Sequence, residues 1–128
     1  MNNHQIPRPA SYRRFKTPTM IQMEATECGA VALSIILAYY GRYISLEEAR
    51  ITCSVSRNGS NAYNLLSAAR HYDLNAEGYD YELQDLYEAT LPLIAFWNFE
   101  HFVVIEGFDK KYVYINDPAH GPRRISYS

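Results

Sequence analysis

The stretch that decides the fold is QMEATECGAVAL, residues 22–33. It begins polar, reaches Cys28, and then stays almost entirely apolar as far as Tyr40. This pattern predicts a buried helix over Glu27 to Tyr40, ended by Gly41 as the glycine that follows a helix. The thiol then lies in the first turn, where unsatisfied N–H groups and a partial positive charge stabilise a thiolate.

A second feature of the same stretch is Gln22, six positions before Cys28. At that spacing a side-chain amide is able to aim an N–H group at the point where the thiol reacts. A nucleophile and a hydrogen-bond donor beside it are two parts of a cysteine-nucleophile site. A base and a group that orients the base are still needed.

The bulk properties restrict the class of protein. With 128 residues the chain is long enough for one domain with a real core. The net charge of −2 predicts no nucleic-acid partner. The longest apolar stretch, 30–40, is far shorter than the ~20 residues that span a bilayer, and residues 1–5 lack a signal-peptide run. We therefore expect a soluble cytoplasmic domain.

The first 17 residues differ from the rest of the chain. They carry four cations and no acidic residue, together with Pro7 and Pro9. This composition predicts a flexible basic arm over 1–17, followed by a folded domain over 18–128. Contact of the arm with acidic lipid or with a neighbouring domain is the alternative.

The order of elements indicates an α+β fold, with helices first and an antiparallel sheet after them. Ser45 and Glu48 form a capping-box pattern that opens a second helix, which runs to about Cys53. Further helices are predicted over Ala62–Tyr72 and Leu83–Ala89, and strands over Leu74–Tyr79, Leu91–Trp97, His101–Phe108 and Tyr112–Asn116.

The candidate base is His101, and its candidate orienter is Asp117. A tight hairpin at 109–111 places the two residues opposite each other or one position off, on a face that is otherwise apolar. A carboxylate beside a histidine sets the imidazole tautomer and supports the imidazolium. Alone, His101 is a half-exposed strand residue and Asp117 a turn residue before proline; together with Cys28 and Gln22 they form one constellation.

Two other residue types carry less chemistry. Cys53 ends an amphipathic segment and is expected to be a small buried apolar residue, although the cysteine count alone allows a Cys28–Cys53 disulfide. The remaining histidines lack metal-ligand spacing, so no metal site and no cofactor are predicted.

Four pieces of the sequence together resemble a known family. They are Gln22, the run from Glu27-Cys28-Gly29 to Leu33, the run His101-Phe102-Val103-Val104, and Asp117-Pro118-Ala119 with Gly121. They are similar to the papain-like peptidase domain of ABC transporters that export bacteriocins and other peptides. The resemblance covers about Pro18 to Gly121, and its joint motif is specific although each piece alone is weak.

The resemblance implies a papain-like fold and a cysteine endopeptidase that removes a leader peptide after a double-glycine-type motif. It implies Cys28 as the nucleophile, His101 as base and acid, Asp117 as its orienter and Gln22 as an oxyanion donor. The implied partners are the leader peptide and the transmembrane and nucleotide-binding domains of a parent transporter, at the inner face of the membrane. Glu27 stands where the family often has Asp, and the chain stops at Ser128 where the family pattern continues, which suggests a C-terminal truncation.

Two other functions remain open at this point. A docking module of the same fold binds an export substrate without cutting it, but such domains lack the cysteine. A Cys-His-Asp acyltransferase needs an acyl-donor pocket that the sequence does not identify. A leader peptide that is cleaved, only bound, or ignored separates the three.

Overall fold

A computed structural model describes residues 13–79, 83–97 and 101–126. A short 3-10 helix, Ala25–Glu27, leads directly into the first of three α-helices: α1 (Cys28–Tyr39), α2 (Leu46–Thr52) and α3 (Ala62–His71). A second 3-10 helix spans Leu83–Glu88. The strands are β1 (Arg13–Arg14), β2 (Leu93–Trp97), β3 (His101–Phe108), β4 (Tyr112–Asp117) and β5 (Gly121–Ser126).

The sheet is antiparallel, and β3 lies at its centre. In the described part of the chain the strand order is β1-β3-β4-β5. β2 also pairs with β3, over residues 101–105, whereas β1 pairs with residues 107–108. The central strand is buried along almost its whole length, because helices cover one face and apolar side chains pack on the other.

Helix α1 is the core of the helical layer. Residues 29–38 of this helix are all buried, since the helix is apolar on every side. It packs against β3 through Phe102 and Val104. Val103 and Ile105 point to the opposite face of the sheet, where they form a second cluster with Val113 and Ile115. The predicted α+β order is therefore confirmed, with α1 directly beneath the central strand.

Most predicted boundaries of the helices agree with the structure. Gly41 follows α1 with φ of +90°, a backbone conformation that favours glycine. The Ser45 side chain accepts a hydrogen bond from the Glu48 N–H at 3.0 Å and so caps α2. The Glu48 carboxylate does not complete the predicted capping box. It accepts a hydrogen bond from the Tyr72 hydroxyl at 2.6 Å.

One prediction of local structure is wrong. Residues 74–79 do not form the predicted strand, because they have no neighbouring strand in the described chain and Leu74 and Ala76 instead pack on the helical core. The helix predicted over Leu83–Ala89 is present, as a 3-10 helix over Leu83–Glu88.

The predicted flexible arm over 1–17 extends too far. Residues 1–12 lie outside the described structure, but Arg13 and Arg14 pair with Phe108 and Gly107. The backbone approaches so closely there that a Cβ atom at position 107 would overlap the carbonyl oxygen of Arg13. The buried Glu106 carboxylate also accepts hydrogen bonds from Thr17 at 2.6 Å. Residues 13–14 therefore belong to the sheet, and Phe15 and Thr17 are bonded to Glu106 on its central strand.

No helix in the described ranges is long and apolar enough to cross a membrane.

Candidate active site

Cys28 is the first residue of α1 and is partly exposed. Its sulfur accepts a hydrogen bond from the Phe102 backbone N–H at 3.4 Å. The thiol therefore lies at a helix N-terminus, where the first N–H groups have no partner within the helix. It also lies against the start of β3, one residue after His101.

His101 and Asp117 meet at the edge of the sheet. The distance from His101 Nε2 to Asp117 Oδ2 is 3.3 Å, and the Asp117 side chain is buried while His101 is half-buried. The other carboxylate oxygen of Asp117 accepts the Ala119 N–H at 2.8 Å. Because Nε2 faces the carboxylate, Nδ1 is the ring nitrogen left for a second partner.

The two residues meet diagonally rather than directly across the hairpin. Val104 pairs with Asn116 and Ile105 with Ile115, so both pairs add to 220 and Asp117 falls opposite Val103. A bulge at Glu106 then shifts the pairs nearer the turn. In the directly opposed register His101 would pair with Asp117, and the residue numbers of each pair would add to 218, whereas the observed pairs add to 220. Because the two registers differ by two residues, the same side chains stay on one face, and the predicted shared face is correct.

The side chain of Arg123 is a contact of Asp117 that sequence reasoning missed. Its Nη1 lies 3.4 Å from Asp117 Oδ2, the same oxygen that faces His101. Arg123 is on β5 and pairs with Ile115. The buried carboxylate is therefore bordered by an imidazole on one side and a half-exposed guanidinium on the other.

Gln22 is anchored to the loop that follows Asp117. Its backbone N–H donates to the Pro118 carbonyl oxygen at 2.7 Å. Within the described residues its side chain makes no hydrogen bond to Cys28, and its buried Oε1 has no partner. The structure thus brings the Gln22 backbone to the site, and the oxyanion role of its side chain stays a prediction.

The thiol of Cys28 contacts the backbone of the residue after His101, not the imidazole itself. No hydrogen bond links Cys28 Sγ with the His101 ring in the described part of the structure. Such contacts are often long without substrate and tighten in the complex. The bond from the Phe102 N–H to the sulfur connects Cys28 to β3 one residue after His101.

The other candidate residues lie outside this site. Cys53 is fully buried at the end of α2, and burial raises the pKa of its thiol to about 11. Both cysteines are free. His71 and His120 are exposed. In the described ranges no three His, Cys, Asp or Glu side chains form a cluster that could hold a metal ion.

Apolar side chains lie next to Cys28 and Gln22. Phe102 packs within 3.2 Å of the position that a Cβ atom would take at Gly29, and its ring contacts the exposed Phe96. Tyr63 and Tyr79 are exposed, at 76% and 63%. Near Gln22 a cleft of about 230 Å³ is lined by Met20, Ile21, Val31, Ser34, Ile44 and Leu46. Tyr81, Phe99 and the side chain of Trp97 lie outside what the structure describes.

The profile of the peptidase C39 family matches residues 16–128. The chain belongs to the peptidase C39 family. The papain-like fold and the assignment as a cysteine peptidase domain are thereby confirmed.

Two solved structures of peptidases superpose closely on this one. A double glycine motif protease from an AMS/PCAT transporter, crystallised in complex with the leader peptide, is 52% identical. It has a TM-score of 0.88, covering 95% of this chain and 88% of its own. The peptidase domain of Streptococcus ComA, a bifunctional ABC transporter, is 21% identical with a TM-score of 0.77, covering 88% of this chain and 86% of its own, and shows the same fold.

Two curated relatives are much longer proteins. The probable microcin-H47 secretion/processing ATP-binding protein MchF of Escherichia coli is 30% identical over 88% of this chain. The colicin V secretion/processing ATP-binding protein CvaB, also of Escherichia coli, is 30% identical over 87%. The chain spans 16% of the length of each.

Proposed function

We propose that this C39 domain is a cysteine endopeptidase that removes the leader of a precursor peptide after a double-glycine-type motif. The observation that carries the proposal is the contact of the Cys28 thiol with Phe102, directly after His101, whose ring faces the buried Asp117. The 52% identity to a double glycine motif protease indicates the substrate class.

The reaction begins at the thiol. The Cys28 thiolate, its proton taken by His101, attacks the carbonyl carbon of the second small residue. The electrons of the carbonyl π bond move to the oxygen, which becomes an oxyanion. The backbone N–H of Cys28, at the start of α1, and the side-chain amide of Gln22 donate hydrogen bonds to it.

The second half of the reaction returns the proton. The oxyanion collapses, the carbon–nitrogen bond breaks, and the imidazolium of His101 protonates the leaving amine. Water, deprotonated by His101, then attacks the thioester, which releases the leader carboxylate and restores the thiol. Asp117 holds the ring so that Nδ1 faces the sulfur, and its negative charge supports the imidazolium.

The leader must be held by more than its small residues, because they have almost no side chain to bind. We propose that an apolar face of a leader helix, with its i, i+3 and i+4 positions, binds exposed apolar surface beside the site. Two surfaces suit this role: the cleft next to Gln22, and the surface that carries Tyr63 and Tyr79.

We also propose the setting of the reaction. The long relatives are secretion and processing proteins of which this domain matches only 16%. Residues 18–128 then form the leader-peptidase part of a transporter. Its transmembrane and nucleotide-binding domains are the partners, and the peptidase lies at the cytoplasmic face of the membrane.

One experiment tests the activity. The chain is incubated with a precursor that carries a double-glycine leader, and the products are identified by mass spectrometry. Cleavage after the second small residue supports the proposal. Binding without cleavage indicates a docking module, and transfer of an acyl group to an added amine indicates an acyltransferase; either result contradicts it.

A further inference from the structure

A buried carboxylate lies directly before the nucleophile. The Glu27 side chain is only 2% exposed. Its Oε2 accepts the backbone N–H groups of Met23 at 3.0 Å and Glu24 at 3.2 Å. Its Oε1 faces Arg50 of α2, whose Nε lies at 2.5 Å and whose Nη2 forms a second contact. A charge buried at this depth is costly unless it is paired and hydrogen-bonded, as it is here.

The carboxylate is ionised at neutral pH. Burial alone would raise the pKa of Glu27, but the Met23 and Glu24 amides and the Arg50 guanidinium outweigh it and lower the pKa below the usual range. The site therefore contains a fixed negative charge that the reaction described above does not use.

The contacts of Glu27 join the two parts that must act together. Glu27 is bonded through the main chain to Cys28, and its side chain holds the N–H of Met23, which directly follows Gln22. The N–H of Gln22 is itself held by the Pro118 oxygen at 2.7 Å. Gln22 is thus fixed on both sides, once by the loop after Asp117 and once by the residue before the nucleophile.

We infer that Glu27, held by Arg50, is a positioning residue that sets the Gln22 amide relative to the Cys28 thiol. Glu27 contacts neither of the reacting groups through its side chain and acts through the 22–24 backbone. This inference rests on the proposed peptidase function and adds a residue to it. A shift of the Gln22 donor by ~1 Å costs about 100-fold in rate.

The test separates positioning from general stability. Glu27→Gln removes the charge and weakens the Arg50 contact. Glu106→Gln is the matched control, since Glu106 is equally buried, accepts hydrogen bonds from Thr17 and pairs with Arg14, 3.6 Å away, without touching residues 22–28. We expect Glu27→Gln to lower kcat by about 100-fold with little change of KM. Glu106→Gln should lose stability but keep kcat within a few-fold.

Two further measurements identify the group through which Glu27 acts. Alkylation of Cys28 by iodoacetamide forms no oxyanion, so Glu27→Gln should leave its rate within about threefold while kcat falls. In a Gln22→Ala background, Glu27→Gln should cost little more, because residues that act as a unit are not additive. Glu27→Asp, which keeps the charge, should recover part of kcat.

Several results would overturn the inference. They are equal losses of kcat in the Glu27 and Glu106 variants, parallel losses of alkylation and kcat, or additive effects with Gln22→Ala. If Glu27→Gln does not fold, Arg50→Gln replaces it, because Met23 and Glu24 still hold the carboxylate there and the same pattern is expected with a smaller loss.

The peptidase proposal fails separately from this inference. If the unchanged chain cleaves no leader, amide hydrogen exchange still reads out the positioning of the backbone. Faster exchange at Met23 and Glu24 in Glu27→Gln, with exchange in β3 unchanged, supports it. Unchanged exchange at both amides overturns it.

Discussion

Phe102 donates its backbone N–H to the sulfur of Cys28 across 3.4 Å, and this contact connects the helical layer to the sheet at the reactive thiol. Because Phe102 directly follows His101, the same contact limits how far the imidazole can lie from the sulfur. The ring of Phe102 packs over Gly29, where an added Cβ atom would come within 3.2 Å of the ring. Phe102 and Gly29, the residues next to the two proposed catalytic groups, therefore fix the position of helix α1 against strand β3.

The first prediction concerns the two thiols. Cys28→Ala should abolish leader cleavage without loss of the fold, whereas Cys53→Ala should retain activity. Iodoacetamide at pH 7 should modify Cys28 alone, because Cys53 is fully buried and burial raises the pKa of its thiol to about 11. Peptide mapping by mass spectrometry measures this. Modification of Cys53 with Cys28 spared would show that the nucleophile is misassigned.

The second prediction concerns the oxyanion. Gln22→Ala should lower kcat by roughly 100- to 1000-fold, the usual cost of removing one such donor. KM should change little, since the charge on oxygen develops only in the transition state. Steady-state kinetics with a full leader measures both. Asn75→Ala, at an exposed amide away from these contacts, is the control. A loss of tenfold or less would leave Gln22 a purely structural residue.

The third prediction concerns Asp117. In Asp117→Asn the Oδ1 atom still accepts from Ala119, so the new NH₂ group faces His101 Nε2. The ring must then accept there and carry its proton on Nδ1, the wrong tautomer to deprotonate the thiol. We expect kcat to fall at least ~100-fold, toward the ~10⁴-fold loss of the same change in serine peptidases, with a nearly unchanged melting temperature.

Arg123 supplies the control for this change. Arg123→Gln removes the guanidinium that contacts Asp117 but leaves the contact of Asp117 with His101 at 3.3 Å. Cleavage should stay within a few-fold of the unchanged protein, because the guanidinium is half-exposed and screened. Equal losses in the two variants would mean that Asp117 acts through general electrostatics rather than through the tautomer.

The contrast between predictable and unpredictable features has a physical basis. Helix α1 follows from the sequence because a run of apolar residues bounded by Gly41 has one stable solution, a buried helix. Strand β5 was not predicted, since Pro122, Arg123 and Arg124 carry no alternation of apolar residues and the strand is held by backbone pairing with β4. Strand β1 can pair with β3 because Gly107 has no side chain to block the Arg13 backbone, and this requirement lies on a strand distant in sequence.

The candidate site shows the same division. Cys28, His101 and Asp117 are recognisable from residue type and spacing. The bond from the Phe102 N–H, the approach of Arg123 and the Glu27–Arg50 pair are long-range contacts, which no local pattern encodes. The bulge at Glu106 likewise shifted the register by which His101 reaches Asp117, because a bulge depends on the partner strand.

The fourth prediction concerns acid stability. A carboxylate whose pKa is lowered by folding stabilises the protein above its unfolded pKa of about 4.3, and this contribution disappears as pH falls through the folded pKa. The pKa of Glu27 is lowered in this way. Glu27→Gln should therefore cost about 3 kcal/mol at pH 7, the low end for a broken buried pair. The difference from the unchanged protein should shrink as pH falls below about 4.3.

Urea unfolding between pH 7 and pH 3 measures this difference. Some acid dependence should remain in Glu27→Gln, because the pKa of Asp109 is also lowered, chiefly by a hydrogen bond from the Tyr114 hydroxyl. Asp109→Asn should remove that remaining part alone. A constant gap between Glu27→Gln and the unchanged protein at every pH would show that Glu27 titrates at the same pH when folded and unfolded.

The fifth prediction concerns leader recognition. Ile21 is 51% exposed and lines the cleft beside Gln22, whereas Tyr63 is 76% exposed on α3. If a leader helix buries one of these side chains, replacing it with Ser should raise KM by roughly 10- to 100-fold, the equivalent of 1.5–3 kcal/mol of lost apolar burial. The value of kcat should stay nearly constant, because an apolar contact with the leader that is made equally in the ground state and the transition state changes KM alone.

The control for recognition is Ile51→Ser, at a residue 73% exposed on α2 that lines neither surface. Its KM should not change. On the substrate side, a leader whose apolar positions are replaced by Ser should show the same rise in KM with its cleavage motif intact. A short peptide containing only the cleavage motif should be cut poorly for the same reason, since it loses the whole apolar contact. Cleavage of that short peptide as efficiently as the full leader would exclude both surfaces as recognition sites.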